Sequence, residues 1–449
     1  MTTAQKPTKR GKMVNGFDPA NTENLDPRAR AFVERRARLL GPAYRLFYSN
    51  PVEFSRANGV FLYDSDGNEY LDAYNNVVSV GHCHPHVNAA IAKQMEVMCT
   101  HTRYMQDGIL DFAETLLDTF ETEIGHVMFT CTGSEANDLA LRMAKHHTGN
   151  QGIIVTSEAY HGNSELTAGF SPSMGENSPL GTWVRLVPAP DTYRVETQNM
   201  GEWLAARVSE QIHDLHRRGQ GLAAFVADSL FTSDGIFPQD PGVLKPALDL
   251  VRDAGGLFVA DEVQCGFART GTHMWGYQHH DVVPDIVSLG KPMGNGYPVA
   301  GIAVRPEVAE RFGHDTRYFN TFGGNTVAMA AAKATLEVIQ DENLQENCDH
   351  VGRIMLDGLR DIATRHESIG DVRGTGLYMG VEMVQDRATK TPDSRSALSL
   401  VNELREQRIL ISATSFNANV LKIRPHLTFD KGHADRFLTG FEKALKAVS

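Results

Sequence analysis

Read from its residues, the 449-residue chain is an α/β protein built on a mainly parallel sheet, followed by a smaller α+β part. Three observations predict this. From about residue 110 to 330, short apolar runs alternate with longer helical stretches, the order that α/β layering produces. Those runs carry no polar alternation, as expected of strands covered by helices on both faces. After a long Ala-rich helical stretch near Val327–Gln340, the pattern changes to mixed strands and helices. The expected units are an N-terminal arm and helical segment over 1–59, a large α/β domain over 60–335, and an α+β domain over 336–449.

The arm begins MTTAQKPTKRGKMVNG, basic but followed by no apolar stretch. It reads as a disordered or partner-contacting tail, not a secretory signal. Val60–Tyr63 and Tyr70–Asp72 flank Asp64-Ser-Asp-Gly67, and two apolar runs around a DG turn predict a β-hairpin. Strands are expected at Val127–Cys131, Gly152–Thr156, Ala223–Ala227, Leu257–Ala260, Ile286–Leu289 and Gly301–Val304. Helices are expected at Ser134–His147, Met200–Arg217 and Val243–Ala254. In the last unit, strands Gly374–Val384, Ile409–Ile411 and Val420–Ile423 pack with helices near Ser394–Gln407 and Lys431–Lys446.

A net charge of −12 argues against a nucleic-acid or anionic-membrane surface, so an anionic substrate needs a locally basic pocket. No run approaches the ~18 apolar residues of a membrane span. Cys83, Cys99, Cys131, Cys265 and Cys348 form no CxxC pair and no disulfide framework, and a reducing cytoplasm is expected. His82, His84 and His86 alternate, which on a strand places all three on one face. They lack partners at metal-ligand spacing, and no metal is expected. His146-His147 and His279-His280 read as surface pairs.

Four local features carry chemistry. Thr132-Gly-Ser-Glu-Ala-Asn137 lies between an expected strand and helix, so Gly133 and Ser134 stand at a helix N-terminus. Such a terminus binds phosphate, although a Gly-Ser turn also serves as a plain cap. Phe258-Val-Ala-Asp261-Glu-Val-Gln264 ends a buried strand where α/β folds place ligands. Asp261 there suits a pyridine nitrogen, which it would hold protonated, and Gln264 suits a phenolic oxygen. Ile286-Val-Ser-Leu-Gly-Lys291-Pro-Met-Gly-Asn-Gly296 sets a lysine directly after an apolar strand, a partly dry place that lowers its pKa and suits a Schiff-base amine. Phe319-Asn-Thr321-Phe-Gly-Gly-Asn325 offers a further hydroxyl on an irregular turn.

Together with Asp66-Gly-Asn-Glu-Tyr-Leu-Asp72, Gly81-His-Cys-His-Pro85, Tyr160-His-Gly162, the run from Asp261 to Gly271 and Leu289–Pro298, these features resemble the class III aminotransferases of fold type I, from about residue 45 to the end. The resemblance implies pyridoxal 5'-phosphate (PLP) as cofactor, with Lys291 as its Schiff-base lysine and Asp261 on the pyridinium nitrogen. It further implies Gln264 near the phenolic oxygen, Tyr160 on the ring face, and Gly133 with Ser134 on the cofactor phosphate. Thr321 would reach the cofactor phosphate of a neighbouring subunit, implying a homodimer with two shared active sites. Asp228-Ser229 departs from the Glu-Pro or Glu-Ser that relatives often have, which leaves open its contact with a substrate-side arginine.

Within this family the chain is most similar to the ethanolamine-phosphate and phosphohydroxylysine phospho-lyases, through Gly41-Pro42, Arg45–Tyr48, Asn75-Asn-Val77 and Leu421-Lys-Ile-Arg-Pro425. Alanine–glyoxylate-type aminotransferases share much of that pattern. Lys422 and Arg424 stand two apart on an expected strand and therefore share a face, with His426 following if the strand continues. A basic pair there fits a substrate phosphate or a carboxylate. Asn75 and Asn76 lie where the family places substrate-facing side chains. The expected reaction is elimination of phosphate from a phosphorylated amine such as O-phosphoethanolamine, giving acetaldehyde and ammonia. The alternative is amino transfer from an amine or amino acid to pyruvate or glyoxylate.

Overall fold

The fold is that of a computed structural model describing residues 13–448. The first twelve residues of the basic arm lie outside the described residues. The large sheet has seven strands, in the order His126–Thr130, Ala300–Val304, Ile286–Leu289, Leu257–Asp261, Leu222–Ala227, Gly152–Thr156 and Val184–Val187. Ala300–Val304 runs antiparallel to both neighbours, and every other pair is parallel. Every residue of Gly152–Thr156, Leu222–Ala227 and Ile286–Leu289 is buried, because helices cover both faces. Val184–Val187 is an additional edge strand whose buried residues, Val184 and Val187, flank the half-buried Arg185 and the exposed Leu186, so no apolar run announces it.

The helix Gly133–Thr148 starts sharply. Thr132 accepts from the Glu135 N–H while the Glu135 carboxylate takes the Thr132 N–H, a reciprocal cap, and Gly149 ends the helix with φ +72°. The N-terminal hairpin pairs Phe61–Asp64 with Glu69–Asp72, and Phe54–Asn58 joins it as a third strand.

One expected strand is broken in two, and another ends early and is followed by a strand of a different sheet. Gly374–Val384 is a hairpin of Ile369–Thr375 and Tyr378–Asp386. Its turn passes through Gly376 at φ +51°, where a Cβ would meet the Arg269 carbonyl oxygen at 2.5 Å. Ile409–Leu410 pairs in parallel with Glu69–Asp72 of the N-terminal sheet, while Ser412–Thr414 pairs with Val420–Ile423 of the C-terminal one. One strand-length segment thus stitches two sheets together.

The three alternating histidines do not lie on a strand. Pro85 opens the helix Pro85–Val97, which places His84 at its N-cap and His86 inside it. They face Glu342 at 3.1 Å and Glu337 at 2.7 Å, while His82 turns inward to Asp72. His280 is buried, not superficial, and burial lowers its pKa to about 4. No helix among the described residues is long and apolar enough to cross a membrane.

Candidate active site

Parallel strands deliver their C-terminal ends to one edge of the sheet, and the site assembles there. Asp261 and Ser288 face each other in register on neighbouring strands, and Lys291 follows three residues later. Ser288 donates to the Asn137 side-chain oxygen at 2.6 Å, and the Asn137 amide donates to Asp261 Oδ2 at 2.9 Å. His161 Nδ1 lies 2.7 Å from the same oxygen. Opposite a carboxylate, Nδ1 must carry the proton. Asp261 Oδ1 takes only the Val263 N–H, at 3.1 Å, which leaves it able to accept once more. Burial disfavours the Asp261 charge, but the bond and charge of His161 outweigh it and hold the carboxyl below its ordinary range. Burial also lowers the Lys291 pKa, with Asp261 opposing that shift and Arg424 adding to it.

Gly133, Ser134, Tyr160, Asp261, Gln264 and Lys291 line one small cavity. A Cβ at Gly133 would press on both Val263 methyls at 3.1 Å, and one at Gly162 would meet Ser134 Oγ at 2.6 Å. The two glycines keep this cradle open at the N-terminus of Gly133–Thr148. A phosphate fits there, an aromatic ring beside Tyr160 and an imine at Lys291, so these residues fit PLP. Thr321 is exposed and lines neither cavity.

The small cavity adjoins a larger one of about 1580 Å³ that shares Tyr160, Gln264 and Lys291 and is also lined by Tyr74, Lys422 and Arg424. Here Gln264 plays a part its sequence position did not suggest. Its Nε2 donates to Thr232 Oγ1 at 2.7 Å, while Oε1 receives Arg424 at 2.9 Å and both Lys422 and Tyr378 at 3.2 Å. Three donors converge on an oxygen with two lone pairs. Asp228 does not reach Arg424. It accepts the N–H and hydroxyl of Thr232, at 3.0 and 2.8 Å, and forms no ion pair with either basic side chain. Among the described residues neither Lys422 nor Arg424 has an ion-pair partner.

Asn75 and Asn76 line neither cavity. The Asn75 side-chain oxygen closes its own loop onto the Val77 N–H, and that of Asn76 holds Arg424 at 3.1 Å. His426 also leaves the expected face. Past Pro425 it turns into the core, where Nδ1 meets the Val78 carbonyl at 2.6 Å and Nε2 lies 3.4 Å from Asp72. Asp72 collects His82, His426 and the N–H groups of Tyr74 and Asn75. Although buried, it is held well below the carboxylate range by the two imidazoles. The trio Asp72, His82 and His426 has the mutual spacing of metal ligands, and its visible work is to pin the loop that holds Arg424. Sequence reading missed His161 and the Asp72–His426 contact. The first sat unremarked inside Tyr160-His-Gly162, and the second joins residues 354 positions apart.

The aminotransferase class-III family matches residues 47–445. A Drosophila melanogaster protein named alanine–glyoxylate aminotransferase 2-like is 40% identical, over 93% of this chain and 87% of its own. The Caenorhabditis elegans ethanolamine-phosphate phospho-lyase homolog 1 is 38% identical, over 96% and 97%. A solved Arthrobacter phospholyase in complex with phosphoethanolamine superposes with a TM-score of 0.90, at 38% identity, over 93% of this chain and 99% of that one. Fold and site thus define a fold type I, PLP-dependent enzyme. The chain belongs to the class-III aminotransferase family.

Proposed function

We infer that the enzyme eliminates phosphate from a phosphorylated amine such as O-phosphoethanolamine, the remaining enamine taking up one water from solvent to give acetaldehyde and ammonia. The observation that carries this is the pair Lys422 and Arg424, two buried basic side chains sharing one neutral acceptor in the cavity above Lys291. A dianionic phosphate supplies the acceptors this cluster lacks. The phospho-lyase name of the nematode relative and the phosphoethanolamine bound to the Arthrobacter phospholyase support the reading. Bound PLP supplies the electron sink that makes the hydrogen beside the amine acidic. Lys291 would hold the cofactor, and its free amine would remove that proton, a task suited to a lysine whose pKa burial has lowered. Asp261, kept charged by His161 and Asn137, would hold a proton on the ring nitrogen. Gly133 and Ser134 would bind the cofactor phosphate, Tyr160 would lie beside the ring, and Gln264 orients Lys422 and Arg424. Arg424 and Lys422 grip the substrate phosphate until it departs.

A second reading, amino transfer to pyruvate or glyoxylate, is favoured by the name of the fly relative and by Arg424, which alone suffices for a carboxylate. Two copies of the chain form the working enzyme in this proposal. Met95, Val97, Met98, Tyr104, Met105 and Phe322 are exposed apolar side chains that a second copy would cover. The five cysteines are unpaired, in keeping with a cytoplasmic setting.

The test is to incubate PLP-loaded protein with O-phosphoethanolamine and no keto acid, then assay phosphate and acetaldehyde. Catalytic release of both, lost in Lys291→Ala, supports the lyase. Amine transfer to pyruvate or glyoxylate without phosphate release overturns it.

A further inference from the structure

Lys422 and Arg424 are alternate residues on one edge of the strand Val420–Ile423 and its extension, so both side chains enter the cavity together. Their shared acceptor, Gln264 Oε1, also takes the Tyr378 hydroxyl. Arg424 has other support. Asn76 accepts from it at 3.1 Å, and the Tyr74 ring lies 4.5 Å from its guanidinium carbon. It keeps its charge at any working pH. Among the described residues Lys422 has Gln264 Oε1 as its one hydrogen-bond acceptor, with the Tyr378 ring 5.8 Å from its nitrogen. An ammonium brings three donors and no lone pair into a place already short of acceptors, whereas a neutral amine brings a lone pair.

The groups facing Lys422 come from five elements. They are Arg424 on its own strand, Lys291 after Ile286–Leu289, Asp228 after Leu222–Ala227, Cys265 after Leu257–Asp261, and Tyr378 at the start of Tyr378–Asp386. Two are cations, and the one carboxylate is already engaged by Thr232. Burial first, then the charges of Arg424 and Lys291, push the Lys422 pKa far down.

We propose that Lys422 is the residue that separates phosphate from carboxylate substrates, because it takes a proton from solvent only when a dianion settles between it and Arg424. This rests on the anion-pocket reading above. A carboxylate carries one charge, which Arg424 matches by itself, and leaves the amine neutral. A phosphate dianion brings the second charge and the free oxygens that an ammonium needs. Phosphate therefore binds with a proton and a carboxylate without one. Phosphate affinity then falls as pH rises, about tenfold per pH unit once the free amine is neutral.

Isothermal titration of inorganic phosphate into the PLP-loaded enzyme at pH 8, in buffers of different ionisation enthalpy, reads the proton directly. The expected result is uptake of about one proton per phosphate, and none with acetate. Lys422→Met should weaken phosphate ~10²-fold, leave acetate within about twofold, and abolish the uptake. Lys422→Arg, which cannot release its proton, should bind phosphate with no uptake. Wild-type enzyme that does not bind phosphate at all would overturn the anion pocket itself. Phosphate binding without uptake, or uptake that persists in Lys422→Met because the phosphate carries the proton, would leave that pocket standing and overturn the role of Lys422.

Discussion

The two ends of the active site handle charge in opposite ways. At the cofactor end, the Asp261 carboxylate is answered by His161 at 2.7 Å and Asn137 at 2.9 Å, with Ser288 bracing Asn137 behind. Every piece there is held before any ligand arrives. At the substrate end, Lys422 and Arg424 share one neutral amide oxygen, and the nearest carboxylate is spent on Thr232. The first arrangement keeps a permanent cofactor in one orientation. In the reading proposed above, an anion would complete the second.

The largest expected effect comes from the group standing between the ends. Lys291→Ala should lower kcat ~10⁴-fold and abolish the visible absorbance of the lysine-bound cofactor, as single-turnover kinetics and a spectrum will read. Retention of more than a tenth of the activity would remove Lys291 from the chemistry.

Asp72 is a compensated charge like Asp261 but lies beneath the loop that holds Arg424. Asp72→Ala strands two buried imidazoles and should cost about 3–5 kcal/mol of stability in a denaturant titration. The folded pKa of Asp72 is depressed. Its stabilisation is therefore complete above the ordinary carboxylate range, near ~4, and drains away as pH falls below that. Thermal scans from neutral to acid pH should show a flatter loss for the variant than for the wild type.

Gln264→Glu converts the incomplete end into a compensated one. The new carboxylate should pair with Lys422 and Arg424, raise KM for O-phosphoethanolamine ~10²-fold with kcat little changed, and raise the melting temperature. An unchanged KM would mean that the cations are not the substrate's anchor, and the contrast between the two ends would collapse.

The smallest effect is at Asp234, which accepts only from neutral groups, Thr156 at 2.7 Å and the Glu158 N–H at 2.9 Å. Burial raises its pKa to about 7. A raised carboxyl pKa means the folded state keeps a proton that the unfolded chain has lost, so stability falls as pH climbs through that interval and levels off above about 7. Asp234→Asn should therefore melt roughly 2 °C higher than wild type at pH 8 and show no gain at pH 4.

Much of the large domain was legible because its strands are buried on both faces and read as unbroken apolar runs. Gly152–Thr156 and Ile286–Leu289 match their expected limits for that reason. Val184–Val187 was not legible, since an edge strand exposes one face and carries a mixed sequence. The breaks at Gly376 and after Leu410 were hidden because nothing local tells a turn or a change of sheet from a continuing strand.

The same division runs through the site. By itself the sequence determined the family and its cofactor, because Lys291, Asp261 and the Gly133-Ser134 turn stand within short motifs whose spacing along the chain is enough to recognise them. Only the tertiary structure decided how charge is distributed. It made Gln264 a shared acceptor for Lys422 and Arg424, set Asn76 against Arg424, and buried His426 against Asp72. Those contacts join residues between about 160 and 354 positions apart. Whether a charge is answered depends on which groups the packed chain brings within about 3 Å of it, and no local pattern encodes that.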